Sequence, residues 1–327
     1  MRTRTSCTLP LALLLLLCPA TGRAQEKAEE PHRKIALIGA SLTKGFSLRL
    51  FAMARKDARA YIEKKLERKL SDREYRLRIE TGQPAAILRQ AWGEKARIRQ
   101  FADLNMFRLP ARRGRLQVDR TIKFAPDLIV GMDFLFWFGF GWEVKGGDKE
   151  VAARMRLQER GLKLLEELLA RTEAILVLGD YPKLKLKGSF IISESQVPSP
   201  AAIDKLNAAL RTWAKGRDRV HIWPLSDLVR QLYEEGLTRG EGKKAVRHGA
   251  RNLLQADRLH PTRLGTALVL HRLSGWLARK EKPAVALFPE PPGLERLAEL
   301  AEAELHLATP LAPLEKESPR REPAGKL

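Results

Sequence analysis

The chain has 327 residues, 44% apolar and 30% charged, and its 60 Lys and Arg against 39 Asp and Glu give a net charge of +21. The apolar share supports a sizeable core and excludes wholesale disorder. There is no collagen-like glycine period, no disulfide-rich pattern and no second long apolar run, which excludes a fibre, a knottin and a polytopic membrane protein.

The first 24 residues have the pattern of an export signal. Arg2 and Arg4 form a basic start, Leu9–Cys18 is apolar, and Gly22 and Ala24 are small residues at the −3 and −1 positions of a cleavage site. The apolar stretch is shorter than the roughly 20 residues that a spanning helix needs, so we expect no stable transmembrane segment after cleavage. The sequence therefore predicts an exported protein, periplasmic or secreted.

Both cysteines, Cys7 and Cys18, lie within this predicted signal. Lipoprotein processing at Cys18 is the weaker alternative, because Leu17 stands where a small residue is required and Pro19 follows the cysteine. Removal of the signal leaves a mature chain without a thiol, which excludes a cysteine nucleophile, a thiolate metal site and a disulfide.

After a polar tether at 25–33, short apolar runs alternate with segments of helical periodicity. The runs predict strands at Lys34–Gly39, Tyr75–Glu80, Asp127–Gly131, Ala174–Gly179 and Val220–Trp223. The periodic segments predict helices at Phe46–Leu70, Ala85–Ala102, Val151–Arg171, Pro200–Lys215 and Thr262–Arg279. This order predicts a three-layer α/β/α sandwich with a mostly parallel five-stranded sheet, in one domain over 34–280.

The composition changes after Lys280. Residues 281–327 are rich in proline and acidic residues, with one candidate helix at Gly293–Ala308. We expect a dispensable, partly disordered appendage that carries no chemistry.

Ligands of parallel sheets bind beyond the carboxyl ends of the strands, and the first predicted strand is followed by Gly39-Ala-Ser41-Leu-Thr43-Lys-Gly45. A serine at such a turn exposes its hydroxyl, and the N–H groups of the next helix point to the same place. The sequence of this turn does not match the motif of the phosphate-binding loop, of the dinucleotide-binding fingerprint or of the nucleophile elbow. An ordinary serine N-cap is the alternative interpretation.

A second candidate feature, Asp257-Arg-Leu-His260-Pro261, precedes the last predicted core helix. A serine hydroxyl needs a base to take its proton, and a histidine base needs an acceptor that fixes its tautomer. Asp257 and His260 could supply both. The alternative is a helix start capped by aspartate, with proline in the first turn.

Taken together, the two stretches resemble the first and last blocks of the SGNH hydrolases, also called GDSL-type esterases, whose first block reads G-D-S-[LI]-T-x-G. The resemblance covers about residues 34–279. It implies a serine ester hydrolase in which Ser41 is the nucleophile, His260 the base and Asp257 its orienting carboxylate, with an acyl-enzyme on Ser41 and no metal or cofactor.

The resemblance also implies an oxyanion hole formed by the Ser41 N–H, a glycine N–H and an asparagine side chain. Gly82 is our choice for the glycine, with Ala85 as another alignment, and Asp133 stands where the family has asparagine. An ionised Asp133 would oppose catalysis, a protonated one could donate a hydrogen bond, and one that points away would leave a weak or dead site.

Six of the 21 aromatic residues fall in the nine residues from Phe134 to Trp142. They could pack in the core beneath a loop, or Phe134, Trp137 and Trp142 could form a wall of the substrate pocket. An aromatic wall suits an acyl chain or the face of a sugar ring, so acetylated glycans and lipids are both candidate substrates.

The other histidines have no metal-ligand spacing: His32, His221, His248, His271 and His306. The excess of Lys and Arg over Asp and Glu fits a solvated basic surface or attraction to anionic envelope polymers. Export and the absence of a binding module disfavour nucleic acid as a partner. The alternative function is a non-catalytic envelope or anionic-glycan-binding protein that retains the hydrolase fold.

Overall fold

The computed structural model describes residues 33–141, 147–186, 191–239, 246–279 and 292–302. These residues belong to one compact unit, His32–Leu327. The predicted export signal lies outside the described residues, as do most of the tether and most of the predicted appendage.

A five-stranded parallel sheet forms the centre, in the order β2-β1-β3-β4-β5. Its strands are β1 (Arg33–Leu37), β2 (Ala96–Gln100), β3 (Leu128–Gly131), β4 (Ile175–Gly179) and β5 (Val220–Trp223). Strands β3 and β4 are buried along their whole length, as expected for apolar runs in a sheet covered on both faces. The three-layer α/β/α sandwich predicted from the sequence is confirmed.

The helices follow one another along the chain with the following bounds: α1 (Ser41–Lys44), α2 (Arg49–Ala54), α3 (Ala58–Lys65), α4 (Asp72–Ile79), α5 (Pro84–Trp92), α6 (Pro110–Phe124), α7 (Phe136–Gly139), α8 (Asp148–Ala170), α9 (Pro200–Ala214), α10 (Leu225–Glu234), α11 (Ala250–Leu253), α12 (Arg263–Ala278) and α13 (Leu294–Leu300). A small antiparallel pair, β6 (Leu237–Arg239) and β7 (Val246–His248), follows α10. None of the helices in the described ranges is long and apolar enough to cross a bilayer.

Successive side chains along each strand pack into two separate hydrophobic cores, one on each face of the sheet. Ile35 and Leu37 of β1 pack with α5, α10, α12 and α13 on one face of the sheet. Ala36, with Ile129 of β3 and Leu176 of β4, packs with α6, α8 and α9 on the other face. The period of two along a strand thus fixes which helix layer each residue supports.

The predicted strand at Tyr75–Glu80 is wrong, because that segment lies in helix α4 and the loop after it. Ser71 accepts a hydrogen bond from the Glu74 N–H, and the Glu74 side chain accepts one from the Ser71 N–H. This capping box starts a helix that the alternation of Arg and apolar residues had concealed. The predicted helix at Ala85–Ala102 likewise divides into α5 and the edge strand β2.

The predicted helix at Phe46–Leu70 is two helices, α2 and α3, separated at Arg55, whose backbone is extended. The C-terminal helix is not a detached appendage. Leu297, Ala298 and Ala301 are at most 4% exposed and belong to the same core as α5 and α12. The boundary predicted at residue 280 therefore does not separate α13 from the core.

Candidate active site

Ser41 is the first residue of α1, four residues after β1 ends. The turn lies at the carboxyl edge of the sheet, where the sequence predicted it. Ser41 is partly exposed and lines a pocket. The first N–H groups of a helix have no partner within it, so the donors of this turn need partners from elsewhere in the fold.

Asp133 holds this turn in place. Its Oδ1 accepts hydrogen bonds from the Ala40 N–H at 2.9 Å and the Thr43 hydroxyl at 2.6 Å, and its Oδ2 accepts one from the Leu42 N–H at 2.7 Å. Burial raises the pKa of Asp133, while the hydrogen bonds from Thr43, Ala40 and Leu42 act in the opposite direction. Asp133 thus receives the N–H groups on both sides of Ser41.

Gly39 makes room for this contact. A Cβ at residue 39 would lie 2.2 Å from Asp133 Oδ1 and 2.6 Å from Thr43 Oγ1, and the φ of +149° is itself strained for any other residue. The buried amide of Gln117 bonds both backbone groups of Gly39, accepting from its N–H at 2.7 Å and donating to its carbonyl at 3.0 Å. Sequence reasoning found Gly39 and Asp133 but not their contact, and it missed Gln117.

Asp133 offers no donor to an oxyanion, and Gly82 is not among the residues that line the pocket of Ser41. Both carboxylate oxygens of Asp133 face donors of the Ser41 turn. Gly82 precedes α5 rather than following a strand, and its carbonyl lies beside Gly45 at the far end of α1. The space next to Gly82 is filled by Ile87, Thr266 and Ala301. Ala85, the other alignment for the glycine, lies buried in the first turn of α5 and is likewise absent from the pocket lining, so the Ser41 N–H is the predicted donor that remains.

His260 and Asp257 form a buried pair. His260 Nδ1 lies 2.6 Å from Asp257 Oδ2, and the Leu259 and His260 N–H groups donate to Asp257 Oδ1 at 3.0 and 3.1 Å. The two side chains are 5% and 0% exposed. Burial alone would raise the pKa of Asp257, but attraction to the imidazolium and these hydrogen bonds outweigh it and keep the pKa below its ordinary value.

The second ring nitrogen of His260 is buried and has no hydrogen-bond partner within the described part of the chain. His260 and Ser41 line the same pocket, although no hydrogen bond joins them. The ring of Phe46 packs on the imidazole with centroids 4.4 Å apart. Contacts between base and nucleophile are often loose in ligand-free sites and shorten when substrate binds.

Gln255 connects the two halves of the site and was missed from the sequence. Its fully buried amide accepts from the Leu48 N–H and donates to the carbonyls of Phe46 and Pro261, each within 2.9 Å. The segment after Ser41 and the turn that carries His260 are thereby fixed to each other. A lone glutamine has no spacing signature, so nothing in the sequence singles it out.

The pocket is lined largely by Leu, Val, Pro and Phe136. Phe134 and Trp137, predicted to line it, instead pack in the core with α6 and α8 and are at most 7% exposed. Trp142 lies outside the described residues. Within the described ranges, no cluster of three or more His, Asp or Glu is placed to hold a metal ion.

No family model matches the chain, and no curated protein matches it. Among solved structures, a gut microbial diltiazem-metabolizing enzyme is similar at a TM-score of 0.42 and 11% identity. The match covers 73% of this chain and 45% of the other, so it spans less than half the length of that enzyme.

Proposed function

We propose that the protein is a serine ester hydrolase of the SGNH type. The observation that carries this proposal is one pocket lined by both Ser41 and His260, with His260 Nδ1 held 2.6 Å from Asp257. The free, buried Nε2 of His260 supports it further, because a general base needs an unoccupied nitrogen.

In this mechanism His260 Nε2 takes the proton of the Ser41 hydroxyl as Oγ attacks the ester carbonyl carbon. The proton then passes to the leaving alkoxide, and an acyl-enzyme remains on Ser41. His260 next deprotonates a water, which attacks the acyl-enzyme, and the proton returns to Ser41. Asp257 fixes the tautomer of His260 and stabilises the imidazolium.

The oxyanion would bind the Ser41 N–H without the asparagine donor that the family uses. Loss of one such donor costs about 10²–10³ in kcat. We therefore expect slow but measurable turnover of activated esters.

Hydrolysis of p-nitrophenyl butyrate by the wild type, Ser41→Ala and Ser195→Ala tests the proposal. Ser195 is exposed and lies outside the pocket lining, so its variant controls for handling and contaminants. We expect Ser41→Ala to lose at least about 10³ in kcat, in line with the effect of removing a nucleophile, and Ser195→Ala to match the wild type. Equal turnover by wild type and Ser41→Ala rejects the esterase.

A non-catalytic protein that binds anionic envelope polymers is the second candidate. It is favoured by the engagement of Asp133 with its own backbone, which leaves no side-chain donor for an oxyanion there, and by the charge of +21. Salt-sensitive binding to an anionic glycan, with no ester turnover, would support it.

We also propose that the protein is exported, on the basis of the signal-like residues 1–24. Expression of the full chain in a secreting bacterial host should give an extracytoplasmic product beginning at Gln25. An intact N-terminus on a cytoplasmic product would contradict this.

A further inference from the structure

Helices α2, α3 and α4 form a lobe, residues 46–80, on the carboxyl edge of the sheet, the edge that carries the candidate active site. The chain leaves for the lobe at Gly45 and returns at Gly82, and a Cβ on Gly45 would lie 2.8 Å from the Gly82 carbonyl oxygen. The Ser47 hydroxyl donates to the Ile79 carbonyl at 2.6 Å and joins the two ends of the lobe. The lobe is therefore an excursion that begins and ends at this edge.

Helix α2 of the lobe has apolar side chains on both faces. Phe51 and Ala52 pack on the apolar cluster of the lobe, whereas Leu50 and Met53 are 57% and 76% exposed. Residues three apart lie on the same side of a helix, so Leu50 and Met53 form one exposed stripe. A surface helix ordinarily turns its apolar residues toward the core alone. The outer stripe of α2 thus has no role in the packing of the lobe.

Two more exposed apolar side chains lie at the same edge. Phe107 and Leu109 belong to the connection that leaves the carboxyl end of β2, and the Asp103 N–H of this connection donates to the Gly39 carbonyl at 3.0 Å. Within the described ranges, four of the five large apolar side chains that are exposed therefore belong to one edge of the sheet. Exposed apolar residues that are scattered singly are ordinary, but their concentration on one face indicates an interaction surface.

This edge is also basic. The lobe has eleven Lys and Arg against six Asp and Glu, and residues 101–116 have four Arg against one Asp. Arg49 stands directly before Leu50 with 64% of its side chain exposed, and Lys56 is exposed just after α2. Positive charge therefore surrounds the apolar stripe of α2.

The surface of a bilayer that contains anionic phospholipid matches both features. Its headgroup phosphates attract Lys and Arg, and the boundary between headgroups and acyl chains accepts apolar side chains. An anionic glycan would engage the basic residues and leave Leu50 and Met53 in water. A second copy of the chain would bring the same positive charge to the contact, which is unfavourable.

We propose that the carboxyl edge of the sheet docks on anionic phospholipid membranes, with Leu50 and Met53 inserted and the basic residues of the lobe on the headgroups. The inference goes beyond the proposed function and does not depend on it, because docking uses neither Ser41 nor His260. Docking in this orientation turns the edge that carries Ser41 toward the membrane.

Co-sedimentation with vesicles tests the inference. The protein should bind vesicles of phosphatidylcholine and phosphatidylglycerol in equal parts, and bind them more weakly as salt is added. Leu50→Ser combined with Met53→Ser should lower the partition coefficient at least about tenfold, because two apolar side chains no longer insert. Leu116→Ser, at an exposed leucine two turns into α6, is the matched control and should bind as the wild type does.

Charge reversal provides a second pair of variants. Lys56→Glu should weaken binding at least about fivefold, since each basic residue near an anionic surface contributes to attraction. Lys215→Glu should have no effect, because Lys215 is exposed at the opposite edge of the sheet, between the end of α9 and the start of β5. All variants share the same N-terminus, so the apolar residues 9–18 cannot account for a difference among them.

Hydrogen–deuterium exchange of the wild type decides the matter if the double variant does not fold. The amides of α2 should exchange more slowly on the mixed vesicles, and those around Lys215 should not change. Ser41→Ala should bind vesicles like the wild type, which separates docking from ester turnover.

Four results would overturn the docking proposal. The first is no binding to the mixed vesicles, and the second is binding that a folded double variant retains in full. The third is unchanged exchange at α2 while the protein is bound. The fourth is a wild-type dimer that the double variant abolishes, without vesicle binding, because α2 would then be a contact between copies.

Discussion

At the residue scale, Asp133 has a role that its position in the sequence did not indicate. The resemblance assigns it to the oxyanion hole, whereas its oxygens accept the N–H groups of Ala40 and Leu42 and the hydroxyl of Thr43. The turn therefore needs two acceptor atoms at residue 133, and an asparagine offers one. Such a contact holds Ser41 in position.

Asp133→Asn should lower activity rather than raise it. An amide NH₂ would face the N–H donors of the turn, and an unmade buried hydrogen bond costs about 1–3 kcal/mol. We expect kcat for p-nitrophenyl butyrate to fall about tenfold, together with reduced stability to urea.

Asp180→Asn is the matched control, because Asp180 is a buried carboxylate that accepts bonds from Ser226 instead of from the Ser41 turn. It should lose stability and keep kcat. A gain in kcat for Asp133→Asn would show that residue 133 faces the oxyanion after all.

Residues with a short-range signature were predictable. Ser41 follows a buried strand within a recognisable block, and Asp257 and His260 are three residues apart on one turn. Gln255 and Gln117 were not predictable, since their partners lie 207 and 78 positions away and depend on the completed fold. Asp133 was found by the resemblance, but only the structure gives its contacts.

At the element scale, the buried strands β1, β3, β4 and β5 were correct because their apolar runs have no competing interpretation. Two elements were predicted with the wrong secondary structure. The edge strand β2, which has Arg on its outer face, was assigned to a helix, and α4, in which Arg and apolar residues alternate as in a strand, was assigned to a strand. Local patterns of this kind are decided by caps and by tertiary packing. The helices α2 to α4 form a small lobe with its own apolar cluster around Leu48, Ile62 and Leu70.

Within this lobe, Glu63 joins helix α3 to the loop between α3 and α4. The carboxylate of Glu63 accepts a hydrogen bond from the Leu70 N–H at 3.1 Å and pairs with Lys69 at 3.0 Å and with Arg59 at 3.2 Å. Together these contacts lower the pKa of Glu63 to about 2, and the bond from Leu70 has the largest effect. Because the pKa of Glu63 is lowered on folding, its ionised form stabilises the folded state at pH values above about 4.3, the pKa of glutamate in an unfolded chain. This stabilisation is lost as the pH falls toward 2.

Glu63→Gln should therefore unfold at lower urea concentration than the wild type at pH 6, and the difference should narrow steadily down to pH 3. Glu173→Gln, at a side chain 98% exposed, is the control and should track the wild type at each pH. A difference between wild type and Glu63→Gln that is independent of pH would mean that the carboxylate is not held as described.

At the scale of the whole molecule, the C-terminal helix completes the layer that carries α12. Helix α13 packs on α5 and α12, and Arg263 at the start of α12 pairs with Glu302 just beyond α13. Composition alone made this region look dispensable, because one short apolar face among prolines and charges is a weak signal. Its burial is visible only when the partner helices are in place.

Leu297→Ala should destabilise the protein by about 2–4 kcal/mol, since Leu297 is fully buried and the change leaves a cavity. Leu300→Ala, on the same helix but partly exposed, should cost clearly less. Urea denaturation of the wild type, Leu297→Ala and Leu300→Ala measures the loss in free energy of unfolding for each variant. A cost below about 0.5 kcal/mol for Leu297→Ala, in the range of surface substitutions, would mean that α13 is not part of the core in solution.

The central claim is that Ser41 is a nucleophile activated by His260, and covalent labelling tests it most directly. After incubation with a fluorophosphonate, peptide mass spectrometry should find one adduct, on Ser41, and His260→Ala should abolish it. An unlabelled protein, or an adduct on a different serine, would contradict the account.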